Sequence, residues 1–578
     1  MNVTAQQRMG IWTTASSSIP LCIVFSCLLY AYWASVIADT GTLAFLGSDS
    51  FLIVDRIAKS ADLAWYDQVY LSQFGLQGIL LSLLYKACNY PGITAFSLIT
   101  AQVFAATTAA IYGCVTPLIK RHLGLVGVVV FWMTLAFSPW VATFSHSIYW
   151  AFFSMALPMV FCACAADRLF QGSRSRWGFI IGLVLLILVR SLCGYEYITT
   201  VTLLTFAGYL IATLDKERTP SLMHLVMLFG ACMAGFFLAL AIHWVQLINI
   251  PNSGGIAYVI GRASTHTGAV ASAGDVDILL SILRSQPGNE AVIQALSSDL
   301  GAHEFLFFFT SLKQYLFLPA LALGSYFSIM FWPFALAALL AGIYSVMCMI
   351  KDRTLTRITP FAVWSLAVFM TLLAVLSWQV LAWRHMTVHY HLNGQIFAMA
   401  LVPFAALWLW SILRFYLGSN YTRAENPSWY WALCVALLLM LLINQQGKSS
   451  SAQADTFVDI STPGGANAIA SSLDSLTTRK IVSEAARAQN LDATQIIAHG
   501  WAFSKNSGSV GMEVLVDGRS IPASVTYTPR PDVLNVMPGA PLMTGFDIVS
   551  VVPSVVTADR VSIVVRDHHG NRKVMKVP

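Results

Sequence analysis

Long apolar runs constrain this fold more than any other feature of the sequence. The first of them, residues 19–38 (IPLCIVFSCLLYAYWASVIA), carries no charge. A helix of that length rises about 30 Å, the thickness of the hydrocarbon core of a bilayer. Ten more runs follow, each bounded by charge, proline or glycine: 93–117, 123–144, 147–166, 177–193, 197–214, 222–248, 326–350, 358–382, 395–416 and 429–446. The sequence therefore predicts a polytopic α-helical membrane protein with about 10–12 transmembrane helices.

Composition supports this fold class and excludes others. With 57% apolar and 10% charged residues, the chain is not a soluble multidomain enzyme. The net charge of +6 comes from basic residues in short gaps between apolar runs, which indicates membrane orientation and predicts no nucleic-acid partner. All ten cysteines lie in or beside apolar runs, so we predict neither a disulfide framework nor a cysteine-based zinc site.

Basic residues occupy alternate gaps between the runs. These gaps hold Lys120 and Arg121, then Arg168, Arg174 and Arg176, then Lys216 and Arg218, then Lys351, Arg353 and Arg357, and finally Arg423. Because Lys and Arg are retained in cytoplasmic loops, we expect the N-terminus inside and the loops 39–92, 249–325 and 383–394 outside. We interpret the apolar segments 71–87 and 305–322 as lying along the interface, since one added crossing inverts the charge pattern. The alternative is that either segment is a true span.

The first outer loop is acidic beside the membrane. Asp39, Asp49 and Asp55 lie in it, among aromatic and amide side chains. A carboxylate at the lipid boundary can serve as a general base when partial burial raises its pKa toward neutrality. These three residues are therefore candidates for a catalytic base. The alternative is that they are ordinary acidic residues of a solvated loop.

Charged residues also mark the outer end of the run 177–193. In LVRSLCGYEYITT, Arg190 lies inside the apolar run and Glu196 follows Tyr195. A charge in hydrocarbon costs about 2.5–3.5 kcal/mol on insertion scales, so it normally faces a partner or a water-filled cavity. We therefore predict that Arg190, Tyr195 and Glu196 line a substrate cavity, unless Arg190 snorkels to the interface.

The short loop 383–394 (WRHMTVHYHLNG) concentrates cationic side chains. Arg384, His385 and His389 suit an anion such as phosphate, because Arg offers a bidentate grip and His donates hydrogen bonds. A polar interfacial turn is the alternative. A divalent metal is not favoured because no carboxylate lies between the histidines, and we predict no metal and no cofactor.

The loop 249–325 offers one further binding candidate. It begins with a Gly/Ser/Thr-rich stretch that contains Arg262. Just before this loop, His243 lies within an apolar run, in the sequence AIHWVQ. We expect His243 to be a packing residue, and the alternative is an intramembrane catalytic histidine.

The C-terminal part of the chain has the composition of a water-soluble domain. Residues 447–490 are predicted to form a linker of small and polar residues followed by one short helix around 471–488. From 491 to 578, alternating segments such as MEVLV and VSIVV, and the turn Asp517-Gly518, predict an all-β sandwich domain of about ninety residues.

Four motifs of this tail resemble a small β-sandwich module that is appended to bacterial proteins that handle surface glycans. They are Gly500-Trp501-Ala502-Phe503, Val516-Asp517-Gly518-Arg519, Arg530-Pro531-Asp532-Val533 and Gly545-Phe546. The resemblance implies a bacterial inner (cytoplasmic) membrane for the multi-pass part. The charge pattern of the gaps places the tail from about residue 447 outside, so we expect the C-terminal domain to be extracytoplasmic.

The organisation of residues 1–446 resembles the GT-C superfamily of integral-membrane glycosyltransferases. The shared features are an acidic first outer loop with interface-lying helices, many spans, a second large outer loop and an exported β domain. The resemblance implies transfer of a hexose or pentose, with inversion, from a polyprenyl-phosphate carrier to a cell-envelope glycan or lipid acceptor. It also implies an Asp base, with Asp55 preferred over Asp49 and Asp39. The usual acidic pair is absent, since Arg56 follows Asp55.

Two other classes of membrane protein are compatible with many spans and intramembrane polar residues. A transporter or flippase of lipid-linked glycan is expected to carry broken helices in paired repeats, and no internal repeat is visible in the sequence. A membrane O-acyltransferase would centre on an intramembrane histidine such as His243. Each of these functions is an alternative to glycosyl transfer.

Overall fold

The computed structural model describes most of the chain between residues 19 and 417 and most of the C-terminal domain. The described residues are 19–39, 53, 56–57, 71–88, 93–216, 218–250, 253–266, 293–294, 304–323, 327–352, 359–383, 386, 393–417, 469–481, 493–504, 510–521, 523–528, 545–552, 556–567 and 572–576. The predicted span 429–446 and the first part of the predicted linker, 447–468, lie outside them.

Within these ranges the apolar runs form helices. They are α1 (Ile19–Asp39), α2 (Leu76–Ala87), α3 (Ile93–Gly113), α4 (Thr116–Ala136), α5 (Pro139–Ser145), α6 (Phe152–Ala165), α7 (Ser173–Cys193), α8 (Ile198–Asp215), α9 (Leu222–Ile248), α10 (Gly255–His266), α11 (Glu304–Leu316), α12 (Trp332–Asp352), α13 (Pro360–Leu381) and α14 (Val402–Leu417). A 3₁₀ turn, Ala166–Phe170, follows α6, while Gly394–Ile396 and the π-helical Phe397–Leu401 lead directly into α14. Nine helices of the described chain are long and apolar enough to cross a membrane. The predicted polytopic helical membrane protein is confirmed.

The predicted span 123–144 is divided between two helices. Helix α4 ends at Ala136, and Pro139 begins α5, where its missing N–H costs no hydrogen bond. The Ser138 side chain caps α5 by accepting from the Val141 N–H at 3.4 Å. The Ser-Pro pair therefore ends one helix and starts another inside a continuous apolar run.

The predicted span 326–350 begins with a strand. A hairpin of β1 (Pro319–Leu323) and β2 (Phe327–Met330) precedes α12, so the span starts later than the apolar run does. Apolar sequence alone does not separate a short buried strand from the first turn of a helix.

The two ambiguous apolar segments, 71–87 and 305–322, contain short helices. Helix α2 has 12 residues and α11 has 13, so their axes measure about 18 and 20 Å, against about 30 Å of hydrocarbon. Neither helix is long enough to cross a bilayer. This agrees with the prediction that these segments do not add a crossing.

The long helices alternate in direction, so each connecting segment lies at one of two ends of the bundle. At one end, Asp215 of α8 accepts hydrogen bonds from Arg121 and His122 of α4. Arg414 of α14 donates to the His122 carbonyl at 2.8 Å. We call this the charged end, defined by Arg121, His122, Asp215, Lys216 and Arg414.

The opposite end is defined by the other termini of the same helices, and we call it the site end. Trp33, near the end of α1, donates to the Leu135 carbonyl at the end of α4 (3.1 Å). Trp140 of α5 lies against Gly394, where an ideal Cβ would come within 2.5 Å of the indole. The end of α1 and the helical residues that start at Gly394 therefore share the site end.

The C-terminal strands form two four-stranded antiparallel sheets. In sheet order these are β3 (Ile469–Ile481), β4 (Ala493–Ser504), β8 (Gly545–Val552) and β7 (Ser524–Thr528), and then β10 (Arg572–Lys576), β9 (Val561–Asp567), β5 (Val510–Val516) and β6 (Arg519–Ile521). Ile496, Phe546 and Ile548 of the first sheet share one core with Val514 and Ile563 of the second. The predicted β-sandwich is confirmed.

The predicted short helix at 471–488 is wrong, because strand β3 covers most of it. Leu473 and Leu476 have the i, i+3 spacing that is typical of a helix face. In the strand, a bulge between Leu473 and Ser475 adds one residue, so that both leucines pack against the same core. The sandwich accordingly includes residue 469 onward rather than starting at 491.

The predicted turn at Asp517-Gly518 joins β5 to β6. Both residues have a left-handed backbone, with φ of 51° and 77°, as a two-residue hairpin turn requires. Arg560 Nε donates to Asp517 Oδ1 at 2.9 Å, and this hydrogen bond holds the pKa of the Asp517 carboxyl below its usual value. The ion pair ties the turn to the start of β9.

Candidate functional site

The site end contains a group of polar side chains enclosed by protein, which we call the polar cluster. Its members come from α2 and the residues before it, the turn before α6, the junction of α7 and α8, α11 and the start of the helix at 394. They are Gln73, Gln77, Tyr149, Arg190, Glu196, Tyr197, Tyr315, Asn393 and Gln395; Glu196 is half-buried and the others are buried. Because buried polar groups are costly unless they are hydrogen-bonded, their partners determine what the cluster can do.

Arg190, in the last turn of α7, is 1% exposed. Its Nη1 donates to the Trp150 carbonyl (3.4 Å) and its Nη2 donates to the Glu196 carbonyl (2.9 Å). The residues that follow these carbonyls, Ala151 and Tyr197, have left-handed φ values of 44° and 63°. Non-glycine residues seldom adopt this conformation, and where they do it is often at functional sites. One guanidinium thus holds two strained turns, and it does not snorkel to the interface.

Sequence reasoning missed Gln73 and Gln77. Gln73 Nε2 donates to the Tyr149 hydroxyl at 2.6 Å. Gln77 Nε2 donates to the carbonyls of Tyr149 (2.7 Å) and Cys193 (3.1 Å). These bonds fasten the α2 segment to the end of α7 and to the turn before α6. Two amides four residues apart in an otherwise apolar segment were the available signal.

Gly194 allows two acceptor oxygens to approach the same point. Gln73 Oε1 and Glu196 Oε2 each lie 2.6 Å from the position that a Cβ on residue 194 would take. The two oxygens are therefore no further apart than twice that distance. Among the described residues, Gln73 Oε1 has no hydrogen-bond donor, and neither has Gln77 Oε1.

A second hydrogen-bonded chain connects the cluster to the residues around the loop 383–394. The Tyr197 hydroxyl donates to Asn393 Oδ1, and Gln395 Nε2 donates to the Tyr197 oxygen at 3.4 Å. Asn393 Nδ2 donates to the Tyr315 hydroxyl (3.3 Å), which itself donates to the Met386 carbonyl. Residues near both ends of this loop are therefore fixed to α8 and α11.

His243 of α9 is buried against Tyr195. The Tyr195 hydroxyl is hydrogen-bonded to His243 Nδ1 at 2.8 Å, and the two rings stack with centroids 5.6 Å apart. Burial, together with the neighbouring Glu196 carboxylate, raises the pKa of Tyr195, so its phenol stays protonated. These contacts agree with the packing role that we expected from the sequence, and the catalytic alternative stays a prediction.

Several predicted site residues lie outside the described part of the chain. These are Asp49, Asp55, Arg384, His385 and His389. Asp39 is the last residue of α1 and Arg262 belongs to α10, but their side chains are not among those described. The catalytic and binding roles of these residues stay predictions.

The helix ends that flank two predicted functional loops nevertheless share one end of the bundle. The first loop runs between the end of α1 and the start of α3, and the Arg/His loop runs between the end of α13 and Gly394. All four boundaries are at the site end. Arg56, which follows Asp55 in the chain, is buried there against α2, with its Cδ 3.0 Å from an ideal Cβ at Gly78.

The described part of the site offers hydrogen bonding rather than metal ligation. Within the described ranges, no group of three or more His, Cys, Asp or Glu side chains is placed to hold a metal ion. The polar cluster contributes amide, phenol, carboxylate and guanidinium groups, which suit the recognition of hydroxylated or charged ligands.

Comparison with known proteins identifies no relative. No family model, no curated protein and no solved structure matches the chain. The function therefore has to be inferred from the site itself.

Proposed function

We propose that this protein is a membrane glycosyltransferase that moves a hexose or pentose from a lipid-phosphate carrier to a hydroxyl of a cell-envelope glycan or lipid. One observation carries the proposal. The helix ends that flank the acidic first loop and those that flank the Arg/His loop are at the same end of the bundle, the site end, which also holds the polar cluster. Glycosyl transfer requires a proton acceptor, an anion-binding group and hydrogen-bonding side chains in one place.

The proposed reaction is a single displacement. Asp55, or Asp49 or Asp39 in its place, removes the proton from the acceptor hydroxyl while that oxygen attacks the anomeric carbon. The bond from the anomeric carbon to the phosphate oxygen breaks, and the lipid phosphate leaves with the electron pair. Arg384 and His385 stabilise the phosphate through charge-assisted hydrogen bonds, and His389 and Arg262 are further contacts to the donor. The anomeric configuration is inverted.

Burial of the polar cluster supports a role beyond anchoring the sandwich. Apolar side chains of similar size often give a folded protein as much stability as buried charges and amides do. Polar groups in membrane proteins usually mark substrate pathways. A chain that merely anchors its C-terminal domain would not need Arg190 in a fully enclosed position between two strained turns.

We further propose that the site end faces the outer side of a bacterial inner membrane and that the sandwich is extracytoplasmic. Arg121, Lys216 and Arg414 lie at the charged end, and basic residues favour the cytoplasmic side. In this orientation the lipid tail of the donor stays in the bilayer and its phosphate lies at the interface, level with the site end.

The test is Asp55→Asn in the full-length protein, expressed in cells whose own copy is deleted. Mass analysis of surface glycans and lipids should show a sugar that is missing in the deletion strain and restored by the wild-type protein. The variant should not restore it, because loss of a general base slows such a step about 10²–10⁴-fold. Asp62→Asn in the same loop is the matched control and should restore the sugar.

Two results would change the proposal in different ways. Full restoration by Asp55→Asn removes this residue from the mechanism, and Asp49→Asn and Asp39→Asn are then compared in the same cells. Unchanged glycans and lipids in the deletion strain overturn glycosyl transfer as the function.

The same strains distinguish the transferase from its alternatives. A transporter or flippase predicts that complete lipid-linked glycan accumulates in the deletion strain. An O-acyltransferase predicts loss of an acyl group while every sugar is present. Because His243 is engaged with Tyr195, we expect His243→Asn to restore the sugar, whereas an acyltransferase that uses this histidine would be inactive.

A further inference from the structure

We propose that Gln73 and Glu196 bind hydroxyl groups of the transferred sugar, and that Arg190 is the positioning residue that holds Glu196 in place. This inference rests on the proposed glycosyl transfer and names the side chains that recognise the sugar. It assigns Arg190 a supporting role behind the site, in place of the substrate contact that the sequence predicted.

Two acceptor oxygens are arranged around Gly194. Gln73 Oε1 and Glu196 Oε2 converge on the space where a side chain on residue 194 would begin. An amide oxygen and an ionised carboxylate oxygen are both acceptors, so neither can donate a hydrogen bond to the other. Gln73 is buried, and within the described chain its Oε1 lacks the donor that a buried acceptor normally has.

The Gln73 amide has a fixed orientation. Its Nε2 is already committed to the Tyr149 hydroxyl at 2.6 Å. The opposite side of the amide, which carries Oε1, is therefore directed toward Gly194. Gln77 fixes the same region by donating to the Tyr149 and Cys193 carbonyls. The acceptor is held rigid before any ligand arrives, which lowers the entropic cost of binding.

Arg190 supports Glu196 through the backbone. Both of its Nη atoms donate to backbone carbonyls, those of Trp150 and Glu196. The guanidinium therefore fixes the backbone from which the Glu196 carboxylate extends. These bonds commit one N–H of each Nη group, so both Nη groups of this enclosed side chain are directed at the protein backbone.

The chemistry of the two oxygens indicates which ligand they can bind. An amide oxygen and a carboxylate oxygen both accept hydrogen bonds, and the carboxylate repels an anion. A phosphate is therefore a poor ligand for this pair, whereas neighbouring hydroxyls of a sugar ring can donate to both oxygens. Tyr197, the residue after Glu196, is hydrogen-bonded to Asn393 at the end of the Arg/His loop. The sugar-binding pair thus adjoins the loop proposed to hold the donor phosphate.

The experiment measures transfer by the full-length protein in membranes. The donor is polyprenyl phosphate carrying the sugar that the deletion strain lacks, together with each monodeoxy analogue of that sugar. For the wild-type protein, removal of the bound hydroxyl should raise KM about tenfold or more, with kcat nearly unchanged. In Glu196→Gln, KM for the donor with the complete sugar should rise by a similar factor. In this variant, KM for the same deoxy analogue should equal KM for the complete sugar.

Two further variants keep the test informative if Glu196→Gln does not accumulate in the membrane. Glu196→Gln keeps the backbone carbonyl that Arg190 binds; if it nevertheless fails to accumulate, Gln73→Met gives the same comparison on the other acceptor. Arg190→Lys keeps the charge but replaces the two Nη groups, which bind two carbonyls, with a single ammonium group. It should raise KM for the complete sugar and weaken the discrimination while kcat is preserved, which a general loss of folded protein does not produce.

The outcomes separate this inference from the function on which it rests. If Glu196→Gln and Gln73→Met discriminate the deoxy analogues as the wild-type protein does, the pair does not bind the sugar, and glycosyl transfer still stands. If the deletion strain lacks no sugar, glycosyl transfer itself is refuted and the inference falls with it.

Discussion

The two ends of the helical bundle use polar side chains in opposite ways. At the charged end, one carboxylate, that of Asp215, is 3% exposed and is surrounded by Arg121, His122 and Lys216, which are 54%, 46% and 45% exposed. At the site end, one guanidinium, that of Arg190, is enclosed and bonded to carbonyls rather than to carboxylates. The basic side chains that pair at the charged end are exposed to solvent, whereas the hydrogen bonds of Arg190 at the site end are enclosed by protein.

This contrast indicates where sequence changes are tolerated. Exposed ion pairs contribute about 0–1 kcal/mol each, because solvent screens them and long side chains lose freedom when they pair. Buried groups that lose a partner leave an unsatisfied atom behind, and that costs about 1–3 kcal/mol or more. The charged end therefore suits orientation in the membrane, whereas the site end suits a fixed constellation for ligand recognition.

The largest difference should come from removing one arginine at each end. Arg190→Met leaves two carbonyls without their donor and releases the turns at Ala151 and Tyr197, so it should lower the free energy of unfolding by about 3 kcal/mol. Arg121→Met should lower it by less than about 1 kcal/mol. Unfolding by SDS titration from a mild detergent, followed by tryptophan fluorescence, measures both. Equal losses in the two variants would contradict the contrast between the ends.

A smaller effect is expected from filling the space at Gly194. The Cβ of Gly194→Ala would lie 2.6 Å from two oxygen atoms, so Gln73 or Glu196 must move, at a cost of about 1–3 kcal/mol. Gly178→Ala, in the neighbouring helix α7, is the matched control, because nothing lies within 4 Å of its added Cβ. This control should stabilise the helix by up to about 1 kcal/mol. The same SDS titration compares them, and stabilisation by both would show that the two oxygens are free to separate.

The sequence predicted the membrane architecture because spans depend on length, hydropathy and charge. Ten of the eleven predicted spans coincide with described helices in the main part of their length, and the eleventh, 429–446, lies outside the described residues. Boundaries were less accurate, since a capping Ser-Pro pair or a hairpin can interrupt an apolar run. The helix predicted at 471–488 failed because a β-bulge gives a strand the leucine spacing of a helix.

The candidate site was predictable only where charge appears in an apolar context. Arg190 and Glu196 were identified in this way, and the structure places them at one junction. Gln73 and Gln77 carry no charge, so their importance depends on packing partners more than 70 residues away, such as Tyr149. Hydrogen bonds between distant segments leave no periodic signal in one sequence, which is why half of the proposed sugar-binding pair was missed.

The smallest expected effect is a response to salt at the charged end. Lys216→Gln removes a 2.9 Å contact to Asp215 and should lower the free energy of unfolding by about 0.2–1 kcal/mol at low ionic strength. At about 1 M salt the screening length falls to about 3 Å, so the variant and the wild-type protein should unfold alike. The loss caused by Arg190→Met should persist at both salt concentrations, because solvent ions do not reach an enclosed guanidinium. If high salt abolished that loss instead, Arg190 would be exposed to water. Neither its proposed positioning of Glu196 nor the contrast between the exposed ion pairs of the charged end and the enclosed hydrogen bonds of Arg190 would then hold.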